Sequence, residues 1–231
     1  GNTGSVTNLK NLVNNSGVVA ADVTGVGTAR ERLAAASYGT GLAIFAHGTT
    51  GSATAISNLV NTSGVIASDV SGVGTARFGL AASSFGGDKA IFGYGRPGSG
   101  NSSLTNLVSN VGVLSSDVTG VGTARRDIAA ASYGGDKGVF GYGISGSSSN
   151  VTNKVSNVGV VATDTTGVGS ARYYLAATGY GGDKAIFGFG STGSVTGITN
   201  LVNNSGLVAA DVSAVGTARE KPAAAGYSYS A

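Results

Sequence analysis

Small polar and apolar residues alternate along this chain in short runs, and the runs come back in the same order. Residues 5–13, 53–60, 102–108, 150–155 and 194–202 form one such run, each closing on a valine. A second run follows at 18–23, 65–70, 113–118, 160–165 and 207–212. Alternation with a period of two is the mark of strands with one buried face. The stretches between the two runs, Asn15-Ser16-Gly17, Thr62-Ser63-Gly64 and Asn204-Ser205-Gly206, read as hairpin turns, because Asn and Gly tolerate positive φ. A third run is rich in alanine, 33–38 and its copies. A fourth is 89–94, with copies starting at Leu42, Lys137 and Lys184, and turns such as Gly86-Gly87-Asp88 join third to fourth. Alanine is the best helix former, yet these alanine runs are three or four residues long and bounded by glycines. A helix that short is marginal in water, so the runs are expected to be strands of small residues packed where strands converge.

The period is carried by one motif. Gly25-Val26-Gly27-Thr28-Ala29-Arg30 returns at 72–77, 120–125 and 167–172 and, with Ala214 at its head, at 214–219, so the arginines are 47, 48, 47 and 47 residues apart. A fixed period in this range marks a repeat array or a propeller. The expectation is one domain over 1–231, a five-bladed β-propeller of four-stranded repeats, since each repeat needs neighbours to cover its apolar face. Nineteen strand-like runs can be counted rather than twenty, because the fourth run occurs four times. One blade is therefore expected to lack a strand, with its place filled by residues beyond Ala231 or by a neighbouring chain, since an open strand edge is a template for pairing.

Within this frame Arg77-Phe78-Gly79-Leu80-Ala81-Ala82, then Gly87, then Ala90-Ile91-Phe92-Gly93-Tyr94-Gly95, resembles the kelch repeat. The chain has no tryptophan and lacks that family's Tyr-Asp dipeptide and strict double glycine. The resemblance implies a four-stranded blade whose alanine-type strand lines a channel, and a closing blade built from both ends of the chain. It does not imply one function.

Composition narrows the function classes. Charged residues are 11% of the chain, against about a quarter in ordinary domains. The net charge of +3 is spread out, without the clustered Lys and Arg of a nucleic-acid footprint. There is no apolar run long enough to span a membrane. Cysteine is absent, which removes disulfides and thiolate metal sites. Methionine is absent too; a processed leader would account for this, and the expected location is extracellular or on a virion surface.

Charge is locked to the repeat. Asp22, Asp69, Asp117, Asp164 and Asp211 precede Arg30, Arg77, Arg125, Arg172 and Arg219 by eight residues, which predicts a structural ion pair within each repeat at the blade junctions. A ring of carboxylates could hold a cation, but the arginines would neutralise it, so no metal and no cofactor is expected. His47, the only histidine, stands where the other repeats have Tyr94, Tyr142 and Phe189, and reads as a packing variant. No serine has a distinctive histidine partner and the carboxylates are repeat-equivalent apart from Glu31, Glu220 and Asp127, so an enzyme is not expected. The residues just after each arginine vary against a nearly fixed frame. Among them Arg32, Phe78, Arg126, Tyr173 and Tyr174 form the candidate ligand patch, which the kelch resemblance places near a channel mouth; arginines and aromatics suit sugars, carboxylates or a protein partner. The expected function is a non-catalytic structural or interaction module, self-association through the incomplete blade included; the alternative is a glycan-binding lectin with repeat-equivalent sites.

Overall fold

The computed structural model describes residues 2–14 and 16–226 and is all-β, with no helix among them. Twelve strands build four antiparallel sheets of three. Strands β1 (Ala34–Tyr38), β2 (Leu42–Ala46) and β3 (Ser57–Val60) form the first sheet; β4 (Ala81–Phe85), β5 (Lys89–Gly93) and β6 (Thr105–Val108) form the second. The third is β7 (Ala129–Tyr133), β8 (Lys137–Gly141) and β9 (Thr152–Val155), and the fourth β10 (Ala176–Tyr180), β11 (Lys184–Gly188) and β12 (Thr199–Val202). Each sheet thus takes its alanine run, its fourth run and the first run of the following repeat. The alanine strands lie side by side in the order β1, β4, β7, β10. Small side chains are what permit this approach, and Ala81, Ala129 and Ala131 are buried. Ala131→Leu is expected to overpack this layer and cost about 1–3 kcal/mol, read from the urea midpoint; an unchanged midpoint would mean the layer has room to spare.

The second runs are not regular strands. Each is held to its neighbour by two isolated bridges, Ser57↔Val70 and Val60↔Ile66 in the first sheet. The reason lies in the asparagine of the first run. Ala67 donates its N–H to Leu59 and Val70 exchanges both bonds with Ser57, so the outer run carries one extra residue there. Asn58 Nδ2 fills the step by donating to the carbonyl of Ala67 (3.1 Å), in the manner of a bulge held by a side chain. The same bond recurs from Asn106 to Ser115, Asn153 to Ala162 and Asn200 to Ala209.

Residues 5–13 also differ from expectation. They form only isolated bridges, Asn2↔Val6, Lys10↔Val23 and Val13↔Val19, and join none of the four sheets. Asn15 of the first predicted turn and the end of the last alanine run lie outside the described residues. The turns at Thr62 to Gly64 and Asn204 to Gly206 are as predicted, each closed by the asparagine just before it: Asn61 and Asn203 accept two backbone N–H groups through Oδ1.

Candidate functional site

The repeat arginine organises each sheet, with a partner other than the one expected. Arg77 does not pair with Asp69, eight residues before it. Its Nη1 lies 3.3 Å from Asp117, forty residues on, and Asp69 faces Arg30 at 3.7 Å. Arg125 pairs with Asp164 (3.6 Å) and Arg172 with Asp211 (3.8 Å). The eight-residue spacing fails because the chain crosses to the next sheet between Asp and Arg. The arginine leads into an inner strand, while the aspartate that reaches it lies on the outer run of that same sheet.

The staple has more parts than a charge pair. Arg125 Nη2 donates to Asn153 Oδ1 (2.6 Å) and Nη1 to the Thr123 carbonyl (3.2 Å). Asp164 accepts from the Thr123 hydroxyl (2.6 Å), the Thr123 N–H and Asn153 Nδ2. The guanidinium also stacks on Tyr94 of the preceding sheet, 4.8 Å from the ring centre, as Arg172 does on Tyr142 (4.4 Å). Arg125 and Arg172 therefore each tie their own sheet together and seal it against the one before. Burial alone would raise the Asp117 and Asp164 carboxyls; the hydrogen bonds from Thr75 and Asn106, or Thr123 and Asn153, outweigh it, and the arginine charge adds to them, leaving both below the usual range. Burial lowers Arg77, Arg125 and Arg172 against the pull of their partners. A glycine makes the room: at Gly122, with φ +75, a side chain would run into Asp164.

A fifth copy of this staple is present in two halves. Asn11 Nδ2 donates to the Ala20 carbonyl (3.0 Å) and to Asp22 (2.8 Å), the arrangement seen at Asn58 and Asp69, but among the described residues no arginine reaches them. Arg219 bonds the Thr217 carbonyl (3.1 Å) and stacks on Phe189 (3.7 Å), yet it is exposed and meets no aspartate among the described residues.

The variable residues after the arginine converge. Arg32, Gly79, Asp127, Tyr174 and Lys221, one from each repeat, line a single cavity of about 670 Å³ together with Leu33, Leu80, Ile128, Leu175 and Pro222. A chain of backbone bonds links them: Gly79 donates to Arg32, Asp127 to Gly79, Tyr174 to Asp127 and Lys221 to Tyr174, at 2.7–3.1 Å. All five have positive φ, between 54° and 62°, which only glycine adopts without cost. Holding four other residue types there reflects a frame that dictates the backbone and leaves the side chain free.

Of the predicted ligand patch, Arg32 and Tyr174 line this cavity. Phe78, Arg126 and Tyr173 do not line it. Arg32 lies 4.5 Å over the Phe78 ring, and Tyr173 packs edge-on against Tyr174 at 4.9 Å. Arg126 donates to Asn101 (2.9 Å). Sequence reasoning missed Asp127, which is almost fully buried; it accepts from Arg32 at 2.5 Å, while its second oxygen lies 3.4 Å from Arg126 Nε and takes no hydrogen bond. It also missed the asparagines of the staple, although Asn11, Asn58, Asn106, Asn153 and Asn200 keep the arginine period, each two residues before the valine that closes its run.

His47 fills its aromatic slot, fully buried and 6.0 Å from Phe92, with neither ring nitrogen hydrogen-bonded. Burial, with the Arg77 charge, pushes it down to about 3. A base must reach the proton it takes, and this imidazole is sealed from substrate. Among the described residues no group of three or more His, Asp or Glu could hold a metal, and no helix is long and apolar enough to cross a membrane. No family model matches the chain and no curated protein was found to match it, so the geometry alone speaks for what it does.

Proposed function

We propose that the chain is a kelch-like, five-bladed propeller that serves as a non-catalytic interaction module at an extracellular or virion surface. The observation that carries the reading is the convergence of five repeat-equivalent positions, Arg32, Gly79, Asp127, Tyr174 and Lys221, on one cavity. Radial convergence of this kind suits blades arranged about an axis. Apart from Asp127 the buried charges belong to the staples, and the groups that vary are those facing the cavity and its rim, where a partner would be read. A lectin of equivalent sites fits less well, since the cavity offers a cation, a glycine, a carboxylate, a phenol and an amine in turn. A protein partner meets such a composite face with arginine and aromatic anchors.

A glycan array and a panel of chromogenic hydrolase substrates test the reading. No sugar bound and no substrate turned over are the expected results. Sugar binding that disappears in Tyr173→Ala would replace the module with the lectin, and turnover of any substrate would replace it with an enzyme. Small-angle scattering tests the architecture, for which a compact disc is expected and an extended profile would speak for an open array.

A further inference from the structure

The cavity of about 670 Å³ where the five repeats meet uses its hydrogen-bonding groups unevenly. Its aliphatic lining comes from Leu33, Leu80, Ile128 and Leu175, each one residue after the variable position of its repeat. The last three are buried, so this floor is a packed layer. The acceptors around it are largely taken. Asp127 receives Arg32 on one oxygen, and its other oxygen is sealed from water beside Arg126. Glu31 accepts from Asn2 Nδ2 (2.8 Å) on one oxygen and keeps the second. The donors are mostly unspent. Arg32 gives Nη2 to Asp127, while its Nε and Nη1 donate to nothing among the described residues. The Lys221 ammonium lies 4.5 Å over the Tyr174 ring and 3.6 Å from Glu220, and makes no hydrogen bond there. The Tyr174 hydroxyl is unbonded too among the described residues. Charge leans the same way at Asp127, where two arginines face one carboxylate.

We propose that this cavity takes the C-terminal residue of a partner protein, an aliphatic residue whose free carboxylate is held by Arg32, Lys221 and Tyr174 and whose side chain lies on the leucine floor. The inference rests on the reading of the chain as an interaction module and names the chemistry its cavity selects. An ionised carboxylate is acceptor-only and can take about four hydrogen bonds, which matches a rim whose spare capacity is in donors. Bonds from a guanidinium and an ammonium to such a group are charge-assisted, and are stronger than those between neutral partners. A chain end fits better than an acidic side chain. In a terminal Leu, Ile or Val the carboxylate and the apolar side chain branch from one carbon, so a single residue meets rim and floor together. An internal Asp or Glu brings the charge without that branch, and its backbone must lead both into the cavity and out again. The volume lies within the range of about 300–1,000 Å³ usual for small-ligand sites. Glu31 opposes the arrangement, since its second oxygen would favour a cation. It is one free acceptor against the donors of three residues, and it makes the reading testable in both directions.

The test titrates the hexapeptide Gly-Ser-Gly-Ser-Gly-Leu, with a free carboxylate, into the whole chain by calorimetry. One-to-one binding is expected. Amidating the peptide's C-terminus, or replacing its leucine by serine, is expected to weaken binding about tenfold or more. Lys221→Gln, a change at an exposed residue, is expected to leave the circular dichroism spectrum unchanged and to weaken the free acid several-fold while leaving the amide as it was. Glu31→Gln is expected to tighten the free acid, because it removes the opposing charge. No binding, or equal binding of acid and amide, overturns the proposal. A peptide ending in an amine that binds more tightly than the acid, and loses its affinity in Glu31→Gln, overturns it in favour of a cationic partner. Hexanoate binding as tightly as the peptide overturns the chain end in favour of a free aliphatic acid. Sugar binding or substrate turnover would remove the proposed function and leave an acid-specific titration standing. A failed titration with no sugar bound and no turnover would remove this ligand alone.

Discussion

Arg125→Ala is expected to destabilise the protein by about 3–5 kcal/mol, the range for removing one member of a buried charged network. The guanidinium is fully buried, and its loss strands Asn153 Oδ1 and the Thr123 carbonyl and takes the cation from Tyr94 and Asp164. Lysine would not restore it, since a single ammonium cannot bond Asn153 and Thr123 while lying flat on Tyr94. The aspartate counts for less. Asp164 is one-third exposed and 3.6 Å from the arginine, so Asp164→Asn is expected to cost about 1–2 kcal/mol, mostly through the Thr123 and Asn153 bonds. Arg219→Ala is the control within the same chain: preceded by the same Val-Gly-Thr-Ala, exposed in the structure, and expected to cost less than about 0.5 kcal/mol. Urea denaturation of the three variants decides the matter. If Arg125→Ala and Arg219→Ala cost the same, the buried staple contributes nothing beyond a surface arginine. A double-mutant cycle on Asp69 and Arg77 should be additive, because each bonds elsewhere.

The architecture was legible where the sequence repeats a local pattern. Alternation placed the alanine strands, their partners and the glycine turns, because those signals depend on neighbours along the chain. The outer runs looked just as strand-like, with valine at one end or both, but Asn58 and its counterparts insert a side chain where a ladder bond would be. That substitution is a contact between runs nine residues apart, and alternation does not register it. The staple pairing was misread for a related reason. With five aspartates and five arginines all on one period, every offset fits the sequence equally well, and only the crossing from sheet to sheet chooses between eight residues and about forty. Arg32 and Tyr174 stand out in the sequence because they vary against a fixed frame, and they line one cavity with positions from the other repeats. Asp127 was passed over since it looked like one more odd charge, and its burial beneath Arg32 arises from how separate repeats meet.

His47→Tyr is expected to stabilise the protein, and to do so most in mild acid. At neutral pH the gain comes from contacts the other repeats already display. Tyr94 and Tyr142 hold the same backbone conformation as His47, with φ of 64°, 64° and 61°, so the slot accepts tyrosine without strain beyond what is present. Their hydroxyls donate to Val121 and Val168 at 3.2 Å, and the equivalent carbonyl beside His47 belongs to Val73. The ring would also lie under Arg77 as Tyr94 lies under Arg125, replacing an imidazole whose two nitrogens go unbonded in the interior. Together these are expected to add about 1–3 kcal/mol at pH 7. Acid widens the difference. The unfolded chain's histidine takes up a proton below about pH 6.5, while in the folded protein burial and the Arg77 charge hold the group neutral down to about 3. Between those values the unfolded state binds one more proton than the folded state, so the native protein loses up to about 1.4 kcal/mol per pH unit as pH falls. The full loss across the window is about 3–5 kcal/mol, and tyrosine abolishes it. Asp69, Asp117, Asp164 and Asp211, whose carboxyls lie below their usual range, weaken both proteins alike in stronger acid, so subtracting the variant's stability curve from the native one isolates the histidine. Urea midpoints taken from pH 7.5 to 4 should therefore fall more steeply in the native protein. Parallel curves would show that His47 is protonated at the same pH folded and unfolded, and so is not sealed in the aromatic slot.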